Sequence, residues 1–405
     1  MRSHGARVAT ALAALLTLTT TTSASLVHIT SYAGTLTTLS LTLGTGSEIT
    51  TQSTLQSVAA TTECGTNPGW LTLVGDILYC LDEGFGKPNG TLASFRVAPN
   101  NGQLTLLNKV PTIAGPVSAV VFGAGGRGLA IADYQGSGIN TFSIADPTTL
   151  TPLQSDVFRL SRPGTNPQRQ DAPHPHQAIL DPTGAFLIVP DLGADLIRIF
   201  ALNSTTLAYR AVTALATAPG SGPRHAAFVP GTGGKTFFYV INELDNTLVG
   251  YDVIYNVNST LSFRQLFRTS THGDASTRPS GTTAAEILVA PGNPPFLILS
   301  SRFERTLSAP SFNSSGSIPS DPLITFSVDV TTGMVAHRQT RAAGGVNPRH
   351  FSLNKDGTLV GVGLQSDGRA VVIQRDPGSG LLGEIIADVE VEGEVNCFVW
   401  DEEER

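Results

Sequence analysis

Histidine, arginine and glutamate recur at matching places along this chain, and their types set the chemistry available. His174-Pro175-His176 places two imidazoles two residues apart, hence on one side of an extended strand. Such a pair can ligate a metal, exchange protons or satisfy hydrogen bonds in a core. Pro175 and the lack of an obvious third His or Cys ligand count against the metal. Pro223-Arg224-His225, Ser301-Arg302 and Pro348-Arg349-His350 supply guanidiniums. Their planar fork suits a carboxylate or phosphate, and a developing oxyanion. Glu243 adds a carboxylate that fits a base acting on water or on a carbon acid. The sequence has no Gly-x-Ser-x-Gly, no cysteine with a placed base, no dinucleotide fingerprint and no P-loop. Acid–base chemistry on a small acidic molecule is the reading left.

The elements that must hold these residues are strands. Residues 174–200 run as a short apolar stretch, an Asp181-Pro182-Thr183-Gly184 turn, a second stretch Ala185–Asp191 and a third, Leu196–Phe200. Pro at the second turn position and Gly at the fourth fit a type I turn between antiparallel strands. The phrase returns at Pro223–Phe228, Phe237–Glu243 and Thr247–Tyr251, and again at Pro348–Leu353, Leu359–Val362 and Ala370–Ile373. A repeat of about 50 residues with four short strands per unit predicts a β-propeller. Six complete units begin near Pro68, Pro116, Pro173, Pro223, Thr283 and Pro348. Two strands at Leu26–Tyr32 and Thr35–Leu43 lack an inner partner, and Val395–Trp400 lacks outer ones. Pairing them builds a further blade from both termini and removes the open edges. The expected fold is therefore all-β, a single seven-bladed propeller over 26–400, with six or eight blades as alternatives because the unit at 283–347 is long. Its extra length, Ser308 to Pro322, reads as a mobile loop over one face.

In a propeller the innermost strand of each blade crosses from one face to the other and the second strand returns. Strand-one starts and strand-two ends therefore share one mouth of the central channel. At the starts stand His174, His176, Arg224, His225, Glu286, Arg349 and His350; at the ends stand Asp82, Glu83, Asp133, Asp191, Glu243, Arg302 and Gln365. This is more charge than a core needs. The alternative is a ring of inter-blade salt bridges that holds register, Asp191 above all.

Composition limits the partners. Gly 42 and Pro 25 with charged residues at only 14% suit many tight turns. A net charge of -7 excludes nucleic acid as the main partner, since a basic footprint is missing. No segment after the N-terminus is long and apolar enough to span a membrane. Arg2 and Arg7, the apolar Thr-rich run Val8–Leu18 and Ser23-Ala24-Ser25 predict a secretory signal peptide over 1–25 and a secreted product. A misread leader would leave the chain cytoplasmic. Sequons at Asn89, Asn203, Asn258 and Asn313 agree with a secreted glycoprotein. Cys64, Cys80 and Cys397 allow one bridge and one thiol, or three buried thiols. The tail 401–405 is acidic and solvated.

Ala172–Gln177, Pro190–Gly193, Gly222–His225, Val240–Glu243, Ser301-Arg302 and Asn347–Phe351 resemble the motifs of the seven-bladed-propeller lactonase family. That family groups bacterial-type 6-phosphogluconolactonase with the fungal enzyme that lactonises 3-carboxy-cis,cis-muconate. The resemblance runs from about residue 26 to 400 and implies opening or closing of a lactone without metal or organic cofactor. Matched motif by motif, it implies His176, Arg224, Glu243 and Arg302 as the catalytic set, the same four that the mouth selects. On this reading Arg224 and Arg302 grip the anionic group and the carbonyl oxygen, Glu243 activates water, and His176 protonates the leaving oxygen. His174, Glu286, Arg349 and His350 are expected to bind substrate, a small anionic or sugar-derived lactone. A carboxymuconate-type cycloisomerase and a secreted non-catalytic binding propeller are the alternatives. Nothing in the sequence speaks to oligomeric state.

Overall fold

Short strands and tight turns make up almost all of the computed structural model, which describes residues 25–274 and 277–402. The expected leader lies outside the described residues apart from Ser25, which opens the first strand; of the tail, only Asp401 and Glu402 are within them. Asp401 is not solvated as expected but ends the last strand, with its carboxylate buried 3.0 Å from His28 Nε2.

Six antiparallel sheets follow one another along the chain, and a seventh joins the two ends. The innermost strands of blades one to six are Pro68–Val74, Pro116–Phe122, Ile179–Leu180, Pro223–Pro230, Thr283–Ala290 and Pro348–Leu353. Five of these begin where the repeat predicts. Blade three differs: its inner strand shrinks to Ile179–Leu180, with one isolated bridge, Pro175 to Asp191, nearer the mouth. Pro173 and Pro175 have no N–H to donate, so the ladder cannot run through them.

Blade seven takes Val395–Asp401 as its inner strand and Ser25–Ser31, Thr35–Thr42 and Thr54–Thr61 outside it. Val27 pairs with Trp400 and Ile29 with Phe398, which closes the ring as expected. The outermost strand, Thr54–Thr61, carries almost no apolar signal, since only Leu55 in it is buried.

Seven apolar clusters hold the ring together, each filled by two neighbouring blades. Tyr79 and Leu81 of blade one meet Leu129 and Ile131 of blade two, and Phe398 and Trp400 of blade seven meet Val372 and Ile386 of blade six. Each fully buried aromatic or aliphatic side chain contributes roughly 1.5–3 kcal/mol. Cys64 and Cys80 form a disulfide across the junction of blades seven and one, and Cys397 is buried as a free thiol in the same cluster.

The 308–322 segment is a correction. It folds into a hairpin, Leu307–Pro310 against Ser317–Ser320, whose Phe312 ring stacks under the Arg369 guanidinium at 4.1 Å.

One device repeats at the mouth. The inner strands of blades one, two, four and six each slip register right after their opening proline, at Gly69, Val117, Arg224 and Arg349. Blade five slips at Ala285-Glu286. A bulge leaves its extra residue unpaired and re-aims the side chain, here into the channel instead of the sheet face.

Candidate active site

Residues from the strand-one starts, bulged at Arg224 and Arg349, and residues at or just past the strand-two ends line a cavity of about 560 Å³ at the mouth. Its polar lining includes Arg224, Arg349 and His176 from the first group, and Tyr32, Glu83, Tyr134, Glu243 and Arg302 from the second. Arg169 hangs over it from the loop between blades two and three, and Phe85 and Phe303 form an apolar rim, each 42% exposed. Phe303 holds a left-handed φ of 65°, fixed where its N–H and that of Arg305 donate to the Asp321 carboxylate at 2.8 and 2.7 Å. A bulky residue in that conformation marks a position that the surroundings impose.

Four guanidiniums face two carboxylates in this lining, so the mouth of a chain with net charge -7 is locally cationic. Glu243 is the hub: Arg224 meets its carboxylate at 2.5 Å, Arg169 at 2.6 Å and Arg302 at 3.2 Å. Burial alone would raise its pKa. Arg224, Arg302 and Arg169 outweigh that and hold the carboxyl far below the usual carboxylate range. Arg302 sits at the other extreme. Burial and the neighbouring Arg224 push it down to about 9, and its buried Nε has no hydrogen-bond partner. An arginine always carries its charge, so this is a cation short of counter-charge. Across the mouth Glu83 takes hydrogen bonds from Tyr32 and, at 3.0 Å, from Arg349.

His176 faces the cavity with Nε2 2.6 Å from Arg224 Nη1, while its Nδ1 lies 3.1 Å from Nε2 of His225. Burial, Arg224 and His225 push its pKa well below the ordinary histidine value, so the ring is neutral at pH 7. A neutral imidazole edge beside a row of guanidiniums can take a proton from water and return it, with any oxyanion formed nearby neutralised.

The family model described as lactonase, 7-bladed beta-propeller, matches residues 30–400. The chain belongs to the seven-bladed β-propeller lactonase family. A protein of Arthroderma benhamiae named "Probable 6-phosphogluconolactonase" is 30% identical over 82% of this chain and 80% of its own length. The 6-phosphogluconolactonase of Bacillus subtilis is 26% identical, over 76% of this chain and 79% of that protein. Among solved structures, the periplasmic gluconolactonase of Pseudomonas aeruginosa superposes with a TM-score of 0.74 at 22% identity, covering 94% of this chain and 100% of that one. At that identity the likeness speaks for the fold.

Set against this lactonase fold, the expected site residues divide. His176, Arg224, Glu243, Arg302 and Arg349 converge on the cavity. His174, Glu286 and His350 do not line it. His174 stacks on Tyr134 at 4.2 Å and its Nδ1 donates to the Tyr134 carbonyl at 2.9 Å, so it props the wall from behind. Although the Tyr134 ring touches both imidazoles, His174 Nε2 meets Asp171 and His176 Nε2 meets Arg224, so their nitrogens turn to different partners. Glu286 lies deeper, at 2.7 Å from Nδ1 of His225, and His350 accepts the Phe398 N–H at Nδ1 with its Nε2 3.8 Å from Glu286. Asp191 is a fastening inside blade three, accepting from the His174 and Ala194 N–H groups and from Arg198. Tyr32 and Tyr134 were reachable from sequence, since each follows a strand-two end by one position. Arg169 was not, because its loop falls outside the repeat.

Proposed function

We propose that this chain hydrolyses a sugar-derived lactone bearing an anionic group, using His176, Arg224, Arg302 and Glu243. The observation that carries the reading is a neutral imidazole edge and a surplus of guanidiniums in one cavity. Family membership and the names of the curated relatives support a lactone as the substrate class.

The roles follow from the electrostatics. Glu243, gripped by three arginines, is a weak base, so it spaces and orients the guanidiniums instead of activating water. His176 Nε2 takes a proton from water as the water oxygen attacks the lactone carbonyl carbon. Arg224 and Arg302 hold the oxyanion of the tetrahedral intermediate. As the intermediate collapses, the bond from carbonyl carbon to ring oxygen breaks and that oxygen takes the proton from His176. The product is a hydroxy acid, which ionises and releases one proton. Arg169 and Arg349 complete the cationic wall for the substrate's carboxylate or phosphate, and Phe85 and Phe303 face its carbon skeleton.

Export belongs to the same proposal. A disulfide persists in oxidising compartments, and Asn89, Asn203, Asn258 and Asn313 are all exposed, as acceptors of glycans must be. The lactone is then an extracellular one.

The test is proton release by the purified chain on glucono-lactone and its 6-phosphate, with and without chelator. Turnover is expected to resist chelation, because guanidiniums supply the positive charge, to favour the phosphorylated ring, and to vanish in His176→Gln. Absence of turnover on every lactone overturns the reading in favour of a cycloisomerase or a binding propeller.

A further inference from the structure

From His176 a buried chain of titratable groups leads away from the cavity, and the mechanism so far leaves its other two members, His225 and Glu286, unused. It runs through three consecutive blades: His176 in the blade-three segment, His225 on the inner strand of blade four, Glu286 on the inner strand of blade five. The residues are 5%, 3% and 1% exposed. Arg224 Nη1 stands 2.6 Å from His176 Nε2, His176 Nδ1 3.1 Å from His225 Nε2, and His225 Nδ1 2.7 Å from Glu286 Oε1.

Hydrogen-bond chemistry leaves this chain one arrangement. A guanidinium only donates, so His176 Nε2 must accept and the ring's proton must sit on Nδ1. That proton points at His225 Nε2, which must then accept as well, leaving the His225 proton on Nδ1. The Nδ1–H donates to Glu286, a carboxylate kept ionised although burial opposes it, by His225 and by the Ile287 N–H. Protonating His225 in this state would place a donor against the His176 Nδ1–H, and reversing His176 would place its N–H against Arg224. Donor-only Arg224 at one end and acceptor-only Glu286 at the other therefore set both tautomers.

We propose that His225 and Glu286 form a positioning relay for His176. They hold its Nε2 lone pair toward the cavity and offset the positive charge when that nitrogen takes the proton from water. A substrate oxygen that draws Arg224 Nη1 to itself uncovers the lone pair, so binding and activation of the base are one event. Other charged groups around His176 are Arg302 and Arg349, with Glu243 joined to it through Arg224 and the Tyr134 ring edge-on at 5.4 Å. His350 and Trp70 wall the relay: Trp70 packs edge-on against both the His225 and His350 rings, at 6.1 and 5.1 Å. The proposal rests on the lactonase reading for its purpose but not for its geometry.

Nitrogen-15 spectra of the imidazoles in the full chain, with His176→Gln and His225→Gln for assignment, test the geometry without any substrate. Both rings are expected as neutral Nδ1–H tautomers near pH 7; an Nε2–H form of either overturns the relay, whether or not lactone turns over. Glu286→Gln then tests the charge while its amide oxygen keeps the bond to His225. Its kcat is expected to fall about tenfold at constant KM, and the His176 titration to move to lower pH in both the spectra and the kcat/KM profile. Glu286→Asp should recover part of both. A Glu286→Gln chain with kcat, profile and spectra unmoved overturns the proposal. Absence of lactone turnover in the unsubstituted chain, with the expected tautomers present, would instead count against the function and leave the relay standing.

Discussion

The Arg169 guanidinium meets the Glu243 carboxylate at 2.6 Å across 74 residues of sequence, the link between a loop outside the repeat and the hub of the mouth. Arg169 is also the most accessible of the three partners, with 37% of its side chain exposed against 5% for Arg224 and 10% for Arg302. An incoming anion therefore reaches it first. Arg169→Met should raise KM for a phosphorylated lactone about tenfold, roughly 1.4 kcal/mol, while kcat changes little. The effect should shrink at high salt, since a partly exposed pair is screened. Equal losses in kcat and kcat/KM would place Arg169 on the transition state instead.

Glu243→Gln removes the anion that three guanidiniums share. Losing one partner of a buried ion pair costs about 3–5 kcal/mol, so a clear drop in Tm at pH 7 is expected along with lost turnover. The sign with pH follows from the depressed folded pKa: the carboxylate's contribution is complete above the unfolded value near 4.5 and is lost as pH falls below it. The Tm gap between the two chains should therefore be widest at neutral pH and narrow below about pH 4.5. A gap that widens in acid would contradict the arginine hub.

Because His176 is held below the ordinary histidine range, the acid limb of kcat/KM should lie below pH 6.5 and the profile should be flat through neutrality. Steady-state rates on a non-titrating neutral lactone from pH 4 to 8 check this. A limb centred at or above 6.5 would mean that another group is the base.

Arg302, crowded by Arg224 and short of counter-charge, makes the mouth a receptor for anions. Inorganic phosphate or sulfate should raise Tm progressively with concentration, the added stability reaching about 2.7 kcal/mol at one hundred times Kd. Arg302→Gln should flatten that response. Stabilisation that persists in full in the variant would put the anion elsewhere.

The repeat made the ring legible before any coordinates, because short apolar strands joined by tight turns recur in six units, five of them opened by proline. It also placed Arg224, Glu243, Arg302 and His176 at one mouth, since strand direction alone decides which ends meet. What it could not do is tell which mouth residues face the cavity. That is decided by the bulges at Arg224 and Arg349, a register effect invisible to composition, and by depth: Glu286 and His350 share the ring of strand-one starts yet sit below the floor. The role we propose for Glu243 departs from the expected one for a similar reason: a lone carboxylate reads as a base, and the third arginine, Arg169, favours a scaffold. Thr54–Thr61 escaped because an outermost strand buries too little to alternate.

The cysteines give a last test. Cys64 and Cys80 enclose a sequence separation of 16 residues, and a loop of that length is worth about 3 kcal/mol on closure. The bridge ties the segment leaving the outermost strand of blade seven to the second strand of blade one, so it guards the seam where the ring is closed by both termini. Cys397, pushed up to about 12 by burial, is inert in the folded chain. Thiol titration of the folded, unreduced chain should therefore find no reactive group, and unfolding without reductant should release one. Reductant should lower Tm in the native chain but leave Cys64→Ser/Cys80→Ser unmoved at its own lower value. If reductant leaves the native Tm unchanged, the seam is held by the Val27–Trp400 and Ile29–Phe398 pairing and its apolar cluster alone.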